Sequence, residues 1–412
     1  MKNEPKIRIK GFEGEWKTCT LEDCLTIYNE QNSYKEFGRD DVLSVSDDYG
    51  IVNQIELLGR SYAGVDVSGY KILRPNEIVY TKSPLKMKPY GIIKADRDKV
   101  GIVSVLYAVY KVNENISPDY IHYYFDPNYR INRYLLPLIN KGAKNTMNIS
   151  DEMALKGKIS IPCTLPEQRA IATYFRHLDS LIETADKKLA SLKQVKEASL
   201  QSMFPKEGQK VPEVRLKGFE GEWKTSKLST FAKRVTRKNG NLETELPVTI
   251  SSQDGIIAQT QFFNSVVASS NLRGYYLIKK GEFAYNKSYS NGYPYGSVKR
   301  LEKYDMGALS TLYIVFALSK DIDHDYVIYF FETMLWHNEV AMRAAEGARN
   351  HGLLNIGADD FLDIQIIVPT TLSEQRKIAS FFVHLDKQIA IAQQRLDLLR
   401  RIKSACLDEM FV

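Results

Sequence analysis

From Glu167 to Met203 the chain carries neither proline nor glycine, and Leu178, Ile182, Ala185, Leu189, Leu192, Lys196, Ser199 and Met203 succeed one another at alternating steps of four and three. Leu385, Ile389, Ala392, Leu396, Leu399, Lys403, Cys406 and Met410 repeat those steps near the C-terminus. A seven-residue apolar repeat sustained this long predicts a coiled-coil helix. Each helix, at about 37 residues and about 1.5 Å per residue, would be roughly 55 Å long. Neither can bury its stripe alone, so the two are expected to pair with each other, antiparallel. The residues ahead of each helix follow another pattern. They are rich in Val, Ile, Tyr and Thr, broken by Gly, Pro, Asn and Asp, which predicts a strand-rich, turn-rich body. A short helix is expected near the start of each body (Thr20 to Tyr28; Lys227 to Val235). A second is expected near its end (Asp119 to Phe125; Asp325 to Trp336), with Asp before an apolar run. KISIP from Lys158 and IQIIVP from Ile364 read as closing strands stopped by Pro162 and Pro369. The apolar runs from Val100 and Thr311 are too short to span a bilayer and read as buried strands.

The duplication runs through the whole sequence. Pro5 to Thr18 and Pro212 to Thr225 agree at eleven of fourteen positions, and both contain GFEGEWKT. Glu167 to Asp179 and Glu374 to Asp386 agree at nine of thirteen, with the same offset of 207. Met203-Phe204 answers Met410-Phe411. Between these ends only echoes remain, among them GIVSVLY from Gly101 against GALSTLY from Gly307, and KGAKN from Lys141 against EGARN from Glu346. One module of about 200 residues is therefore used twice, with alike ends and unlike middles. That pattern suits two modules doing one job on different targets.

Composition limits the function classes. The 412 residues are 44% hydrophobic and 26% charged with a formal charge of +6, which suits a globular chain and permits nucleic-acid binding. Cys19, Cys24, Cys163 and Cys406 form no C-x-x-C pair, and the N-terminus lacks an apolar signal region; a reduced, cytoplasmic chain is expected. The six histidines show no metal spacing. His177 and His384 are equivalent, and packing or capping is expected of them. DPNY at Asp126 to Tyr129 looks superficially like an amino-methyltransferase signature. It lacks the second proline, has no Gly-rich cofactor loop beside it and has no counterpart in the second unit, so a helix C-terminal turn is the reading preferred.

The helices open P-x-x-x-P-E-Q-R-x-I-A (Pro162 to Ala172) and P-x-x-x-S-E-Q-R-x-I-A (Pro369 to Ala379), with Ser373 where the first unit has Pro166 and read as a good N-cap. With the linker from Phe204 to Trp223 and the two variable bodies, the chain resembles the specificity subunit of a type I restriction–modification system over essentially its whole length. The resemblance implies an α/β (α+β) fold with two similar target recognition domains separated by two long antiparallel coiled-coil helices, in pseudo-twofold relation. The expected divisions are 1–160 (first recognition domain), 161–204 (central spacer helix), 205–217 (linker), 218–367 (second recognition domain) and 368–412 (C-terminal spacer helix). It further implies a non-catalytic DNA-recognition subunit of a multisubunit adenine methyltransferase and endonuclease. Each recognition domain would read one half of an asymmetric, bipartite double-stranded target, with half-sites about 10 bp apart centre to centre. The helices would set the gap and dock two methyltransferase subunits, and restriction/translocase subunits would complete the enzyme. S-adenosylmethionine, ATP and Mg would sit on those partners. The alternatives are a coiled-coil protein-interaction scaffold and a fused DNA methyltransferase.

Candidate DNA contacts follow from residue chemistry. Lys144-Asn145 and Arg349-Asn350-His351 each follow Gly-Ala, and Arg and Asn can bridge guanine and adenine in the major groove. Lys82-Ser83 and Asn286-Lys287-Ser288 end apolar runs and suit phosphate contacts. Tyr289 and Tyr293, with Tyr295, form an aromatic loop, and Lys86, Lys88 and Tyr90 hold the similar place in the first unit. Arg130 and Arg133 are either phosphate clamps or a solvated helix face. Glu167-Gln168-Arg169 and Glu374-Gln375-Arg376 are candidates for partner contact, with helix capping the competing role. The shared GFEGEWKT turn cannot distinguish two half-sites. Phe12, Trp16, Phe219 and Trp223 are expected to anchor each body to its scaffold.

Overall fold

The computed structural model describes residues 3–141, 147–263, 267–268, 271–290, 292–344 and 354–412. The chain divides into two compact units, Met1–Asp186 with Gln394–Val412, and Lys187–Gln393. Each unit therefore contains one body, the first part of one long helix and the last part of the other.

In the first unit, Lys17–Thr20 pairs antiparallel with the closing strand Lys158–Ile161. A four-stranded sheet follows in the order Leu25–Ile27, Ala108–Val112, Ile78–Tyr80, Ile93–Ala95. A second layer holds the hairpin Leu43–Ser46/Gly50–Asn53 and the pair Lys71–Leu73/Gly101–Val103. The second unit repeats the closing pair as Lys224–Lys227 with Gln365–Val368. Its first sheet runs Ala232–Arg234, Ile314–Leu318, Phe283–Asn286, Ser297–Arg300. Its second is one four-stranded sheet, Gly255–Ala258, Pro247–Ser251, Met306–Leu309, Tyr276–Lys279.

Two local expectations are corrected. Thr20 to Tyr28 and Lys227 to Val235 are not helices. Each is a single 3-10 turn, Leu21–Asp23 or Leu228–Thr230, followed by a strand. Leu25 and Ala232 are needed in the sheet core, and tertiary burial overrides a weak local preference. The late helix of the first body falls where expected, at Pro118–Tyr124, while that of the second, His324–Glu332, stops short of Trp336; a further helix follows each, Asn128–Leu135 and His337–Arg343. Asp126-Pro127 breaks the first pair, because proline disfavours helix at the residue before it.

The long helices span Leu165–Met203 and Leu372–Glu409. In the first unit Tyr174 meets Cys406, Asp179 meets Lys403 and Asp186 meets Arg400. One number rises as the other falls, so the helices run antiparallel. Lys196 with Asp386 and Phe204 with Phe382 show the same in the second unit. Among the described residues no helix is long and apolar enough to cross a membrane.

Candidate nucleic-acid interface

The duplicated GFEGEW turn and the duplicated EQR motif are two halves of one structure. Gly11 and Gly14 adopt φ of 98° and 88°, a left-handed geometry that favours glycine. The turn they make points its carbonyls at Arg8, whose guanidinium donates to Gly14 O (2.6 Å) and Glu13 O (3.0 Å). The same guanidinium grips Glu167 with two bonds, 2.7 and 3.0 Å, and the Trp16 indole N–H adds a third at 3.2 Å. In the second unit Arg215 donates to Gly221 O and Glu220 O and grips Glu374 at 2.8 and 2.9 Å, joined by Trp223 at 3.2 Å. Fork-to-fork Arg–carboxylate geometry of this kind is the strong class of charge-assisted bond. The adjacent glutamines finish the joint. Gln168 Oε1 accepts from Ser117 N (2.9 Å) and its amide donates to Pro162 O (3.1 Å). Gln375 does the same with Asp323 N (2.8 Å) and Pro369 O (3.0 Å).

This corrects the partner-contact reading of the EQR motifs. Glu167, Gln168, Glu374 and Gln375 are buried and spent inside their own units; only Arg169 and Arg376 remain exposed. Ser373 is not the N-cap either: the helix starts at Leu372 and Thr371 Oγ1 accepts from Glu374 N. Trp16 and Trp223 anchor the turns from full burial, while Phe12 and Phe219 are only partly covered.

The second shared feature is an aromatic socket. Phe411, one residue from the C-terminus, packs on Tyr120 (5.3 Å), Phe175 (5.7 Å) and Tyr124 (6.0 Å) of the first unit. Phe204 packs on Tyr326 (5.5 Å), Trp223 (6.1 Å) and Phe382 (6.1 Å) of the second. Arg130 belongs to this socket. It is buried, stacks on Phe411 at 4.8 Å and donates to Leu407 O at 2.7 Å, near the helix C-terminus, where a cation complements the dipole. It is neither a phosphate clamp nor a solvated residue. Arg133 stays exposed.

The third feature lies where each body meets the helices. Lys403 bridges Asp179 (2.8 Å) and Asp126 (3.1 Å), and Tyr123 OH donates to Asp179 (2.7 Å). Lys196 bridges Asp386 (2.7 Å) and Glu332 (2.8 Å), and Tyr329 OH donates to Asp386 (2.9 Å). Burial alone would lower both lysines, but the flanking carboxylates win and raise them. Burial would likewise raise Asp126, yet Lys94 and Lys403 hold it far below the usual carboxylate range. The Asp of DPNY is thus occupied as a counter-ion. Lys88, read from the sequence as a DNA-facing neighbour of Lys86, is buried here too. Its ammonium takes Asp47 (2.6 Å) and Asp126 O (2.8 Å).

The remaining described candidates end or follow the strands Ile78–Tyr80 and Phe283–Asn286 in the chain. Lys82, at φ 53°, pairs with Asp151, which also holds Lys71 (3.1 Å). Ser83 is half-buried, Lys86 is exposed, and Tyr90 is half-buried with its carbonyl accepting from Tyr80 OH (2.7 Å). In the second unit Asn286 accepts from Ser288 N (3.0 Å), and Lys287 donates to Ile356 O (3.3 Å) while its carbonyl accepts from Leu354 N (2.9 Å). Tyr289 is 55% exposed, and Tyr293 is half-buried with the Lys299 ammonium 5.9 Å from its ring. Lys144, Asn145, Arg349, Asn350 and His351 lie outside the described residues. Lys82 bonds to Asp151 and Lys287 to Ile356 O, each on the described stretch that follows those positions in sequence. Among the described residues no group of three or more His, Cys, Asp or Glu could hold a metal. The sequence reading missed the lysine clusters, although the signal was present: Lys196 and Lys403 occupy core positions of the heptad stripe.

Comparison with known proteins fits this architecture. The chain aligns with the type I restriction–modification S subunit from M. genitalium over 99% of both chains, at 13% identity and a TM-score of 0.58. It aligns with the HsdS subunit from Thermoanaerobacter tengcongensis over 96% of both chains, at 14% identity and a TM-score of 0.46. The first of these establishes a shared fold. No curated protein matches by sequence. Residues 221–401 match the type I restriction modification DNA specificity domain, and the first unit repeats the clasp, socket and helix of the matched one. Residues 221–401 thus carry a type I restriction modification DNA specificity domain, and the whole chain shares the fold of the M. genitalium S subunit.

Proposed function

We propose that this DNA-recognition subunit reads an asymmetric target in two parts, one per unit, and leaves chemistry to its partners. One observation carries the reading: the clasp is the same residue for residue in both units, and the socket and helices recur in both, while the sheets and loops ahead of them differ. A shared element cannot tell two half-sites apart, so discrimination falls to the bodies. The candidate stretches, Thr81–Tyr90 with Lys144-Asn145 and Asn286–Tyr295 with Arg349–His351, carry the donors, acceptors and aromatic faces that groove and phosphate contact require. The helices act as the spacer between half-sites and as the docking rail for two methyltransferase subunits, with Arg169 and Arg376 the exposed members of the EQR motifs. S-adenosylmethionine, ATP and Mg belong to the methyltransferase and restriction/translocase subunits, and the target adenine leaves the stack to be methylated there. The assembly works on DNA in the cytoplasm. The domain divisions at 160, 204, 217 and 367 give the boundaries for exchange.

The test is a body swap. Replacing residues 20–160 with those of another family member, and sequencing methylated adenines in a host that also carries the methyltransferase, should change one half-site and leave the other intact. A change in both halves, or in neither, would overturn the modular reading.

A further inference from the structure

The two lysines at heptad core positions are unusual occupants. Apolar positions of a helical pair gain by burying methylenes, and a lysine there costs stability unless its charge is met. Here each is met three ways. Lys403 reaches an aspartate of the facing helix (Asp179) and the acid that ends a helix of the body (Asp126), and its ammonium lies 5.7 Å from the Tyr123 ring. Lys196 reaches Asp386 and Glu332 in the same way, 5.4 Å from the Tyr329 ring. Three elements meet on one ammonium: the lysine's helix, the facing helix and the body. The tyrosines tie the body to the same aspartates by a second route. A single polar group in an otherwise apolar seam is the best-attested device for fixing register, since any slip leaves it buried without partners.

We infer that Lys403 and Lys196 are positioning residues that fix the tilt of each recognition body on the helical pair, and through that tilt the gap between the two half-sites. The inference rests on the reading of the helices as spacer. Neither lysine is placed to read DNA; each acts through the body it holds. The leverage is sufficient: a tilt of about 10° moves a surface about 20 Å away by about 3.5 Å, close to the rise of one base pair.

The full chain is expressed with its methyltransferase partner, and methylated sites are read genome-wide. Lys403→Met and Lys196→Met should keep both half-sites. They should raise methylation at gaps one base pair longer or shorter at least fivefold over the parent chain, while Lys403→Arg and Lys196→Arg keep the single gap. A folded Met variant with the parental gap distribution overturns the inference, as does a change in the bases read. Should a Met variant fail to fold, Asp179→Asn and Asp386→Asn keep the shape and the tyrosine's acceptor but remove the charge; broadening supports the inference and a single gap overturns it. Inserting one heptad in both helices separates the two claims. An unmoved gap defeats the spacer reading itself. A moved gap beside unresponsive lysine variants defeats only the role given to the lysines.

Discussion

The two units place the same ammonium at the same point and surround it differently. In the first unit three lysines, Lys88, Lys94 and Lys403, face three aspartates, Asp47, Asp126 and Asp179. The side chains of Lys88 and Lys94 are 3% exposed. In the second unit Ser252 stands where Asp47 does, Tyr293 where Lys88 does and Lys299 where Lys94 does. Lys299 keeps no ion pair among the described residues, and the space opens into a cleft of about 670 Å³ lined by Lys196, Ser252, Tyr293, Lys299, Glu332 and Trp336. Burial pushes both Lys88 and Lys299 down, but only Lys88 has a carboxylate in bonding range to counter it. The difference teaches that the module fixes the lysine on the helix and leaves the body side of the joint free to vary. The clasp shows no such freedom.

The largest effects should fall on what the units share. Phe411→Ala and Phe204→Ala each empty an aromatic socket, and removing a buried aromatic costs about 3–5 kcal/mol. The Phe411 loss should be the larger by about 1 kcal/mol, because Arg130 stacks on Phe411 while Trp336 holds the equivalent position in the second unit. Denaturant unfolding of the full chain, followed by a probe in each unit, measures both. A gap of several kcal/mol between them would break the claim that the joints are one module used twice.

Smaller and unequal effects should follow where the units differ. Asp47→Ser gives the first unit the second unit's residue and strands Lys88, whose remaining bond is to a carbonyl. Losing one member of a buried pair costs about 3 kcal/mol. Ser252→Ala removes hydroxyl contacts to Ser290 (3.2 Å) and Ser297 (3.0 Å) beside the open cleft, and about 0.5 kcal/mol is expected. Equal losses in the two variants would mean that the cleft is not solvated and that the joints are closer in kind than their lining residues imply.

Legibility in the sequence followed the same divide. The helices, the closing strands and the duplication were readable because they rest on local periodicity and on repeated letters. The EQR motif was read as capping or partner contact because its true partner, Arg8 or Arg215, lies 159 positions away, and no local signal links them. Lys88 was misread for the same reason: a lysine between Met87 and Pro89 looks solvated until the fold brings Asp47 to it. Lys196 and Lys403 were visible as anomalies in the stripe, but an anomaly names no partner. The candidate DNA contacts depend on a molecule absent from the sequence altogether, so chemistry nominates candidates there and spacing cannot rank them.

The smallest expected effect separates the units by pH. His122 occupies the helix position that Ile328 holds in the second unit. Its Nδ1 accepts from Ala95 N at 3.3 Å and its ring sits edge-on to Tyr123 at 4.9 Å. Although the residue keeps some surface, that inward nitrogen places the titrating ring in the joint. Burial first, then the nearby Lys94, drives its pKa well below the ordinary 6.5, with Arg97 and Lys403 adding to the fall and Asp126 opposing it. The folded state therefore holds the ring neutral while the unfolded chain takes up a proton below about 6.5. The unfolded state binds more protons there, so stability is complete above that value and declines as pH falls through it toward the folded pKa. Asp126 cannot account for a loss in that window. Its folded pKa is depressed, so its contribution is present above the ordinary 3.8 and is lost only below it. Melting of the first unit should thus shift downward between pH 7 and pH 5 in the parent chain, and His122→Ile should flatten that shift without affecting the second unit. The second unit carries its own burial-depressed histidine, His337, so the test is the substitution: a first-unit shift that survives His122→Ile would place the acid sensitivity outside the joint.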